Sequence, residues 1–129
     1  EPADVASVFE LHPDMPLRPA DFAATRVNWL PKSENLRSLA QEFNVGLDAF
    51  VFLDDNPAER LEVLAHCPGV TVPPLTDDAG RNASLLERLW CFDSTTVTRE
   101  DAARTAHMQQ EARRRDLASA TADHMEYLR

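Results

Sequence analysis

The stretch Ala49–Arg60, with the sequence AFVFLDDNPAER, decides the fold that the sequence predicts. Its four consecutive apolar residues, Phe50–Leu53, have the length and the aromatic and β-branched content of a strand that is buried on both faces. Asn56 then supplies a helix N-cap, Pro57 the first helical residue and Glu59 the third residue of a capping box. The stretch therefore predicts a buried strand that leads directly into a helix.

Two adjacent carboxylates, Asp54 and Asp55, follow the predicted strand at once. Open α/β sheets bind ligands at this position, between the carboxyl end of a strand and the positive end of a helix. One interpretation is that one acid assists the helix cap and the other is incidental, but Asn56 and Glu59 already predict a complete cap. Two like charges so close together repel unless cations lie beside them, and Mg²⁺ with a lysine ammonium meets that need. Since Mg²⁺ prefers one or two carboxylates together with phosphate oxygens and water, the pair predicts a Mg²⁺ site that accepts a phosphorylated substrate.

One lysine is the second candidate for the site. Of the thirteen basic residues twelve are arginines, and the single lysine is Lys32. It lies in the first turn of a helix predicted to start at Pro31, where a cation opposes the helix dipole at a cost of about 0.3–1 kcal/mol. A nearby negative group would offset that cost. Two interpretations stay open at this point, a solvated lysine and a lysine that faces the carboxylate pair.

Composition and charge limit the class of protein. At 129 residues, with 43% hydrophobic and 27% charged residues, the chain has the composition of one soluble globular domain at most. The net charge of −9 argues against a nucleic-acid surface, and no apolar run is long enough for a membrane span. We therefore expect a cytoplasmic protein without nucleic-acid or membrane partners, in which Cys67 and Cys91 are reduced.

Helical and strand patterns alternate along the chain. Helices are predicted at about residues 2–11, 31–43, 56–67, 79–90 and 98–129, strands at 50–53 and 70–72, and a strand or extended loop at 25–30. This alternation predicts an α/β fold, a parallel sheet flanked by helices. The last helix is only weakly amphipathic, so we expect a C-terminal connector helix that packs outside this chain. Arg26 and Asn28 either face a ligand or are ordinary surface residues.

Several phrases of the sequence resemble one known family. Residues 31–36, PKSENL, followed by residues 52–60, FLDDNPAER, resemble the third and fourth motifs of the haloacid dehalogenase (HAD) superfamily. More narrowly they resemble its FkbH-like branch, subfamily IIIC, as do the phrases HPDM at 12–15, DF at 21–22, NW at 28–29 and TRED at 98–101. The resemblance covers nearly the whole chain, and it implies a partial Rossmann-like, HAD-type parallel sheet.

The nucleophile of that family is missing. HAD enzymes carry an aspartate nucleophile in a D-x-D motif on their first strand, and this chain contains no D-x-D. The resemblance therefore implies a fragment, with residues 1–92 as the C-terminal part of a HAD-like domain and residues 93–129 as a connector toward a following domain. Because covalent phosphoryl transfer needs that carboxylate, we expect the chain alone to be inactive.

The resemblance also implies roles for individual residues. Lys32 would neutralise the phosphate and pair with Asp54, so both are predicted catalytic residues. Asp55 would be the direct Mg²⁺ ligand, with Asp54 as its orienting neighbour and a second possible ligand. The predicted substrate-binding residues are Lys32, Arg26, Asn28 and Asn56.

The resemblance to the FkbH-like branch also implies a specific function. FkbH-like proteins are associated with dephosphorylating a unit derived from 1,3-bisphosphoglycerate and loading glyceryl onto an acyl carrier protein for polyketide-type biosynthesis. The expected partners are thus an acyl carrier protein and a phosphorylated three-carbon substrate. Two alternatives are a non-catalytic HAD-like module that binds a carrier protein and a HAD phosphatase acting on free small molecules.

Overall fold

Helices dominate the regular structure of this protein. The computed structural model describes the backbone of residues 2–127 and the side chains of residues 2–122. Within that range the α-helices are α1 (Pro2–Leu11), α2 (Lys32–Phe43), α3 (Pro57–His66), α4 (Ala79–Leu86) and α5 (Arg99–Tyr127). Single 3₁₀ turns lie at Pro19–Asp21, Leu47–Ala49 and Trp90–Phe92. No helix of the described part is long and apolar enough to cross a membrane.

The predicted parallel sheet is wrong. Across residues 2–127 no β-strand forms, and the β pairing is limited to an isolated parallel bridge between Val51 and Thr71. Thr71 donates its N–H to the Phe50 carbonyl at 3.0 Å, and Phe52 donates its N–H to the Thr71 carbonyl at 2.8 Å. Thus the Rossmann-like α/β arrangement is absent from the described residues.

The sequence around Thr71 explains why the pairing stops. The segment that faces Phe50–Leu53 is confined between Pro68-Gly69 and Pro73-Pro74. Proline has no N–H to donate to a ladder, and Gly69 adopts a positive φ of 101°, so the extended segment is only about three residues long. The apolar run is therefore extended locally without becoming part of a sheet.

The helix predictions are more accurate than the strand predictions, because the sequence signals that start and end a helix are local. α1 and α2 form where they are predicted, and Asn44 ends α2 in the left-handed conformation with a φ of 54°. α5 begins with the predicted capping box, in which Thr98 and Asp101 exchange hydrogen bonds. α4 is shorter than predicted and ends at Leu86 in a tight turn. The end of the last predicted helix, including Leu128, lies outside the described residues.

The chain divides into two compact units. Residues 29–96 form one, and the described parts of residues 1–28 and 97–129 form the other. The predicted division after residue 92 stays a prediction. In the unit that contains α1 and α5, the rings of Phe9 and Phe22 meet edge to face with their centroids 5.7 Å apart. Gln109 of α5 donates to the carbonyls of Ala20 at 3.1 Å and Phe22 at 2.7 Å.

The core of the 29–96 unit lies between α2 and α3. Its buried members are Leu36, Val63, Cys67 and Val70. Partly buried apolar side chains pack against this cluster, namely Phe50, Phe52 and Val72 of the bridged segments and Leu47 of the preceding 3₁₀ turn. Cys67 and Cys91 are free thiols, as predicted, and Cys67 is buried. This core packs α2 against α3, and Lys32, Asp54, Asp55 and Asn56 lie at or just before the starts of these two helices.

Candidate functional site

The loop that leads into α3 carries the carboxylate pair. Asn56 caps α3 as predicted, since its side-chain oxygen accepts the Ala58 N–H at 2.9 Å and Pro57 follows at the first helical position. The segment after Leu53 is thereby turned sharply into the helix. The predicted carboxylates lie on this turn rather than at the end of a sheet strand.

Asp54 assists the cap of α3, the role that the sequence analysis considered for one of the two acids and did not favour. Its Oδ1 accepts the backbone N–H of Asn56 at 2.8 Å. In a capping box a glutamate three residues later would accept this N–H, and the prediction gave that task to Glu59. Among the hydrogen bonds of the described residues none joins Glu59 to Asn56. The carboxylate of Asp54 therefore completes the cap, and its orientation is fixed.

Arg60 holds the same loop from the helix side. One guanidinium nitrogen, Nη1, donates to the backbone carbonyls of Asp54 and Asp55, at 2.9 Å in each case. Helical side chains lean toward the N-terminus of their helix, so an arginine in the first turn of α3 can reach the preceding loop. This direction is the signal that could have identified Arg60 from the sequence.

Asp55 is the exposed member of the pair. Within residues 2–122 its carboxylate makes no hydrogen bond or ion pair, because only its backbone carbonyl is engaged. It lines an open cavity of about 350 Å³. The cavity is also lined by Pro57, Arg60, Leu75, Thr76 and Asp77. A free carboxylate at a concave surface can bind a cation or a polar ligand.

Asp77 was missed as a neighbour of Asp55. Asp77 was not among the predicted site residues, and the next residue, Asp78, caps α4 by accepting the Arg81 N–H at 3.1 Å. Asp77 lies instead at the cavity that Asp55 lines. The 21 residues between them hide this proximity in the sequence. It arises because the segments before Asp54 and Asp77 run side by side at the Val51–Thr71 bridge.

Lys32 begins α2 and is half-buried. Among the ion pairs of the described side chains none joins Lys32 to Asp54. The next residue, Ser33, is 3% exposed and ties the start of α2 to α3. Its hydroxyl donates to Glu62 Oε1, and its backbone N–H donates to Glu62 Oε2 at 3.1 Å. Glu62 thus stabilises the helix terminus on which Lys32 lies.

The Ser33 contact also alters the acidity of Glu62. The hydroxyl hydrogen bond from Ser33 is the main cause that lowers the pKa of the Glu62 carboxyl below its ordinary value, and the nearby His66 and Arg37 act in the same direction. Partial desolvation opposes this shift. The carboxylate is therefore the favoured form in the folded chain.

The six predicted site residues are divided between the two units. Lys32, Asp54, Asp55 and Asn56 belong to the 29–96 unit, whereas Arg26 and Asn28 belong to the other. Arg26 donates from Nη1 to the Thr25 carbonyl at 3.0 Å. The structure brings Asp54, Asp55 and Asn56 together on one loop, and the roles of all six residues stay predictions.

No cluster of three or more histidine, cysteine, aspartate or glutamate side chains with metal-binding geometry occurs in the described part of the chain. This excludes a closed all-protein metal cage from that part. It does not bear on Mg²⁺ bound through one or two carboxylates, because Mg²⁺ keeps several waters and takes oxygens from a bound phosphate.

A solved phosphatase domain is 43% identical to this chain. It is the crystal structure of the N-terminal part of the protein BF1531 from Bacteroides fragilis, which contains a phosphatase domain and is complexed with Mg. The likeness has a TM-score of 0.63 and covers 69% of this chain. It covers 24% of the other chain, so this chain spans about a quarter of that structure's length. No family model and no curated protein matches the chain.

Proposed function

We propose that this chain provides the metal-binding and phosphate-binding part of a Mg²⁺-dependent phosphatase of the HAD superfamily. The observation that carries this function is the 43% identity to a phosphatase domain complexed with Mg. The geometry of the loop before α3 supports it independently, because a free carboxylate, Asp55, lies at a cavity beside an arginine-clamped turn.

The two carboxylates on the loop before α3 are suitable ligands for Mg²⁺. Asp55 has an uncommitted carboxylate at the cavity, and Asp54 beside it is held by its bond to the Asn56 N–H. One or two carboxylates with water and phosphate oxygens are the ligands that Mg²⁺ prefers. We assign Asp55 as the direct ligand and Asp54 as the neighbour that orients the loop. When bound, the ion would polarise a phosphoryl oxygen and offset its negative charge.

The residues of the chain then have separate tasks. Lys32 would hold a phosphate by its ammonium charge, and Asn56 would contact the rest of the substrate. The substrate-binding roles of Arg26 and Asn28 stay predictions. Arg60 holds the backbone carbonyls of Asp54 and Asp55 by hydrogen bonds and so fixes the loop. Since the chain has no D-x-D motif, we assign it no nucleophile.

We further propose that the protein carrying this chain catalyses the reaction associated with the FkbH-like branch. The substrate would be a three-carbon unit derived from 1,3-bisphosphoglycerate, and glyceryl would pass to an acyl carrier protein. The motifs at residues 31–36 and 52–60 support this assignment. A general phosphatase acting on free phosphate esters is the second candidate, favoured by the description of the neighbour as a phosphatase domain.

Turnover by the protein that carries this chain tests the function. Phosphate release should require Mg²⁺ and should be abolished by Asp55→Asn and by Lys32→Ala, with circular dichroism unchanged. Asp93→Asn, an exposed aspartate outside the Asp55 cavity, is the matched control and should retain activity. Unchanged turnover in Asp55→Asn or Lys32→Ala would remove that residue from the site.

The carrier protein separates the two candidates. The FkbH-like activity requires an acyl carrier protein and leaves a glyceryl thioester on it, which mass spectrometry of the carrier detects. Equal phosphate release from simple esters with no thioester formed would favour the general phosphatase.

A further inference from the structure

A second cavity, of about 570 Å³, lies along α4 in the 29–96 unit. It is lined by Asp78, Gly80, Arg81, Ser84, Leu85 and Arg88. None of these residues lines the cavity beside Asp55. The proposed phosphatase site therefore does not account for it.

Two unpaired guanidinium groups line this cavity. Within residues 2–122 the side chains of Arg81 and Arg88 make no hydrogen bond and no ion pair. Some other arginines of the chain are paired with a carboxylate, as Arg104 is with Asp101 at 2.6 Å. In a chain with a net charge of −9, this surface has two cations and one anion, Asp78, and therefore a local excess of positive charge.

The polar lining residues lie along α4 and the turn that follows it. Arg81 and Ser84 are three residues apart within α4, which places them on one helical face. Arg88 lies two residues beyond Leu86, where the helix ends. Its N–H donates to the Leu85 carbonyl at 3.0 Å in that turn, and its side chain lines the same cavity.

The carboxylate of Asp78 is already engaged. Its Oδ1 accepts the backbone N–H of Arg81 at 3.1 Å, which caps α4. It therefore serves the helix terminus, and the two guanidinium groups and the hydroxyl remain available to a ligand. Leu85 is the one apolar residue among the lining residues other than Gly80.

We propose that this cavity binds the phosphate group of a small phosphorylated molecule. A phosphate monoester carries up to two negative charges, which two guanidinium groups can neutralise. Arginine forms paired, parallel hydrogen bonds with phosphate oxygens, and the serine hydroxyl can donate a further one.

Titration of the full ¹⁵N-labelled chain with inorganic phosphate tests the site. EDTA is present throughout, so that the result does not depend on the magnesium site proposed above. We expect saturable amide shifts around residues 80–88, and much weaker shifts with acetate. Arg81→Gln and Arg88→Gln should each weaken binding by about tenfold, the effect of losing one charge-assisted contact. The double variant should not saturate.

Two control variants complete the test. Arg113→Gln removes an exposed charge from α5 and should bind phosphate like the wild type. Lys32→Ala should also keep the shifts at residues 80–88. Binding that survives in the double arginine variant, or that is lost in Lys32→Ala, would overturn the assignment. Acetate binding as tight as phosphate binding would overturn the phosphate specificity.

Discussion

The guanidinium of Arg60 donates to the backbone carbonyl of Asp54 at 2.9 Å, across the turn that starts α3. The same nitrogen reaches the Asp55 carbonyl, so one side chain fixes the orientation of two consecutive peptide groups. The Asp55 carboxylate, which we assign to Mg²⁺, therefore depends on a residue that need not touch the ion.

Loss of this clamp should loosen the loop without unfolding the chain. In Arg60→Met both hydrogen bonds disappear while the aliphatic bulk remains, so we expect a loss of about 1–2 kcal/mol in the free energy of unfolding. Amide exchange at Asp55 and Asn56 should accelerate by more than exchange in the core. Urea denaturation and hydrogen exchange measure the two effects. Exchange at the loop that matches the wild type would show that the clamp is dispensable.

The cap of α3 gives a second prediction. Asn56→Ala removes the acceptor of the Ala58 N–H and should cost about 0.5–2 kcal/mol. Asn56→Asp keeps an acceptor and adds a negative charge at the positive end of the helix, so it should restore the stability. Thermal unfolding of the two variants distinguishes a capping role from a general intolerance of substitution, which would destabilise both alike.

Glu62 should make stability depend on pH. Because its pKa in the folded chain is below the ordinary value of 4.5, the unfolded chain takes up the proton at a higher pH than the folded chain does. The stabilisation is therefore complete above that value and is lost as the pH falls through the lower folded-state pKa. Glu62→Gln should flatten the pH dependence of the melting temperature on the acid side.

Glu59→Gln is the matched control for this effect. Glu59 lies on the same helix and makes no hydrogen bond to Ser33. The acid-side slope should persist in Glu59→Gln. If the two glutamine variants have the same slope, the Ser33–Glu62 contact is not its source.

The packing of α3 gives a fourth prediction. Val63 is fully buried, whereas Leu64 beside it is 54% exposed. Val63→Ala should therefore destabilise the chain by about 1–3 kcal/mol, through lost burial and a residual cavity. Leu64→Ala removes more atoms from a surface position and should cost less than Val63→Ala. If urea denaturation shows that Leu64→Ala lowers the free energy of unfolding more than Val63→Ala does, the core placed around Val63 is contradicted.

Local signals predicted the helices well, and non-local contacts were the source of the errors. The caps at Asn56 and Thr98 and the stop at Asn44 depend on neighbouring residues, and each is present. A sheet depends on partners elsewhere in the chain, and Thr71 offers only a three-residue segment between proline-containing turns.

The candidate site shows the same limit. Asp54, Asp55 and Asn56 were identified because a paired acid before a helix cap is visible in the sequence. The proximity of Asp77 to the Asp55 cavity and the bond from Ser33 to Glu62 arise from tertiary packing, and no periodicity encodes them. The Asp54–Asn56 bond was local and predictable, but the capping-box pattern favoured Glu59 instead.

Binding of Mg²⁺ to the ¹⁵N-labelled chain, followed by backbone amide shifts, tests the central assignment most directly. We predict saturable shifts concentrated at residues 54–60 and 75–77, abolished in Asp55→Asn and retained in Asp93→Asn. Calcium should give a different shift pattern, because it takes more ligands at longer distances. Shifts that are the same in Asp55→Asn, or that are absent from residues 54–60 at saturating Mg²⁺, would contradict the assignment.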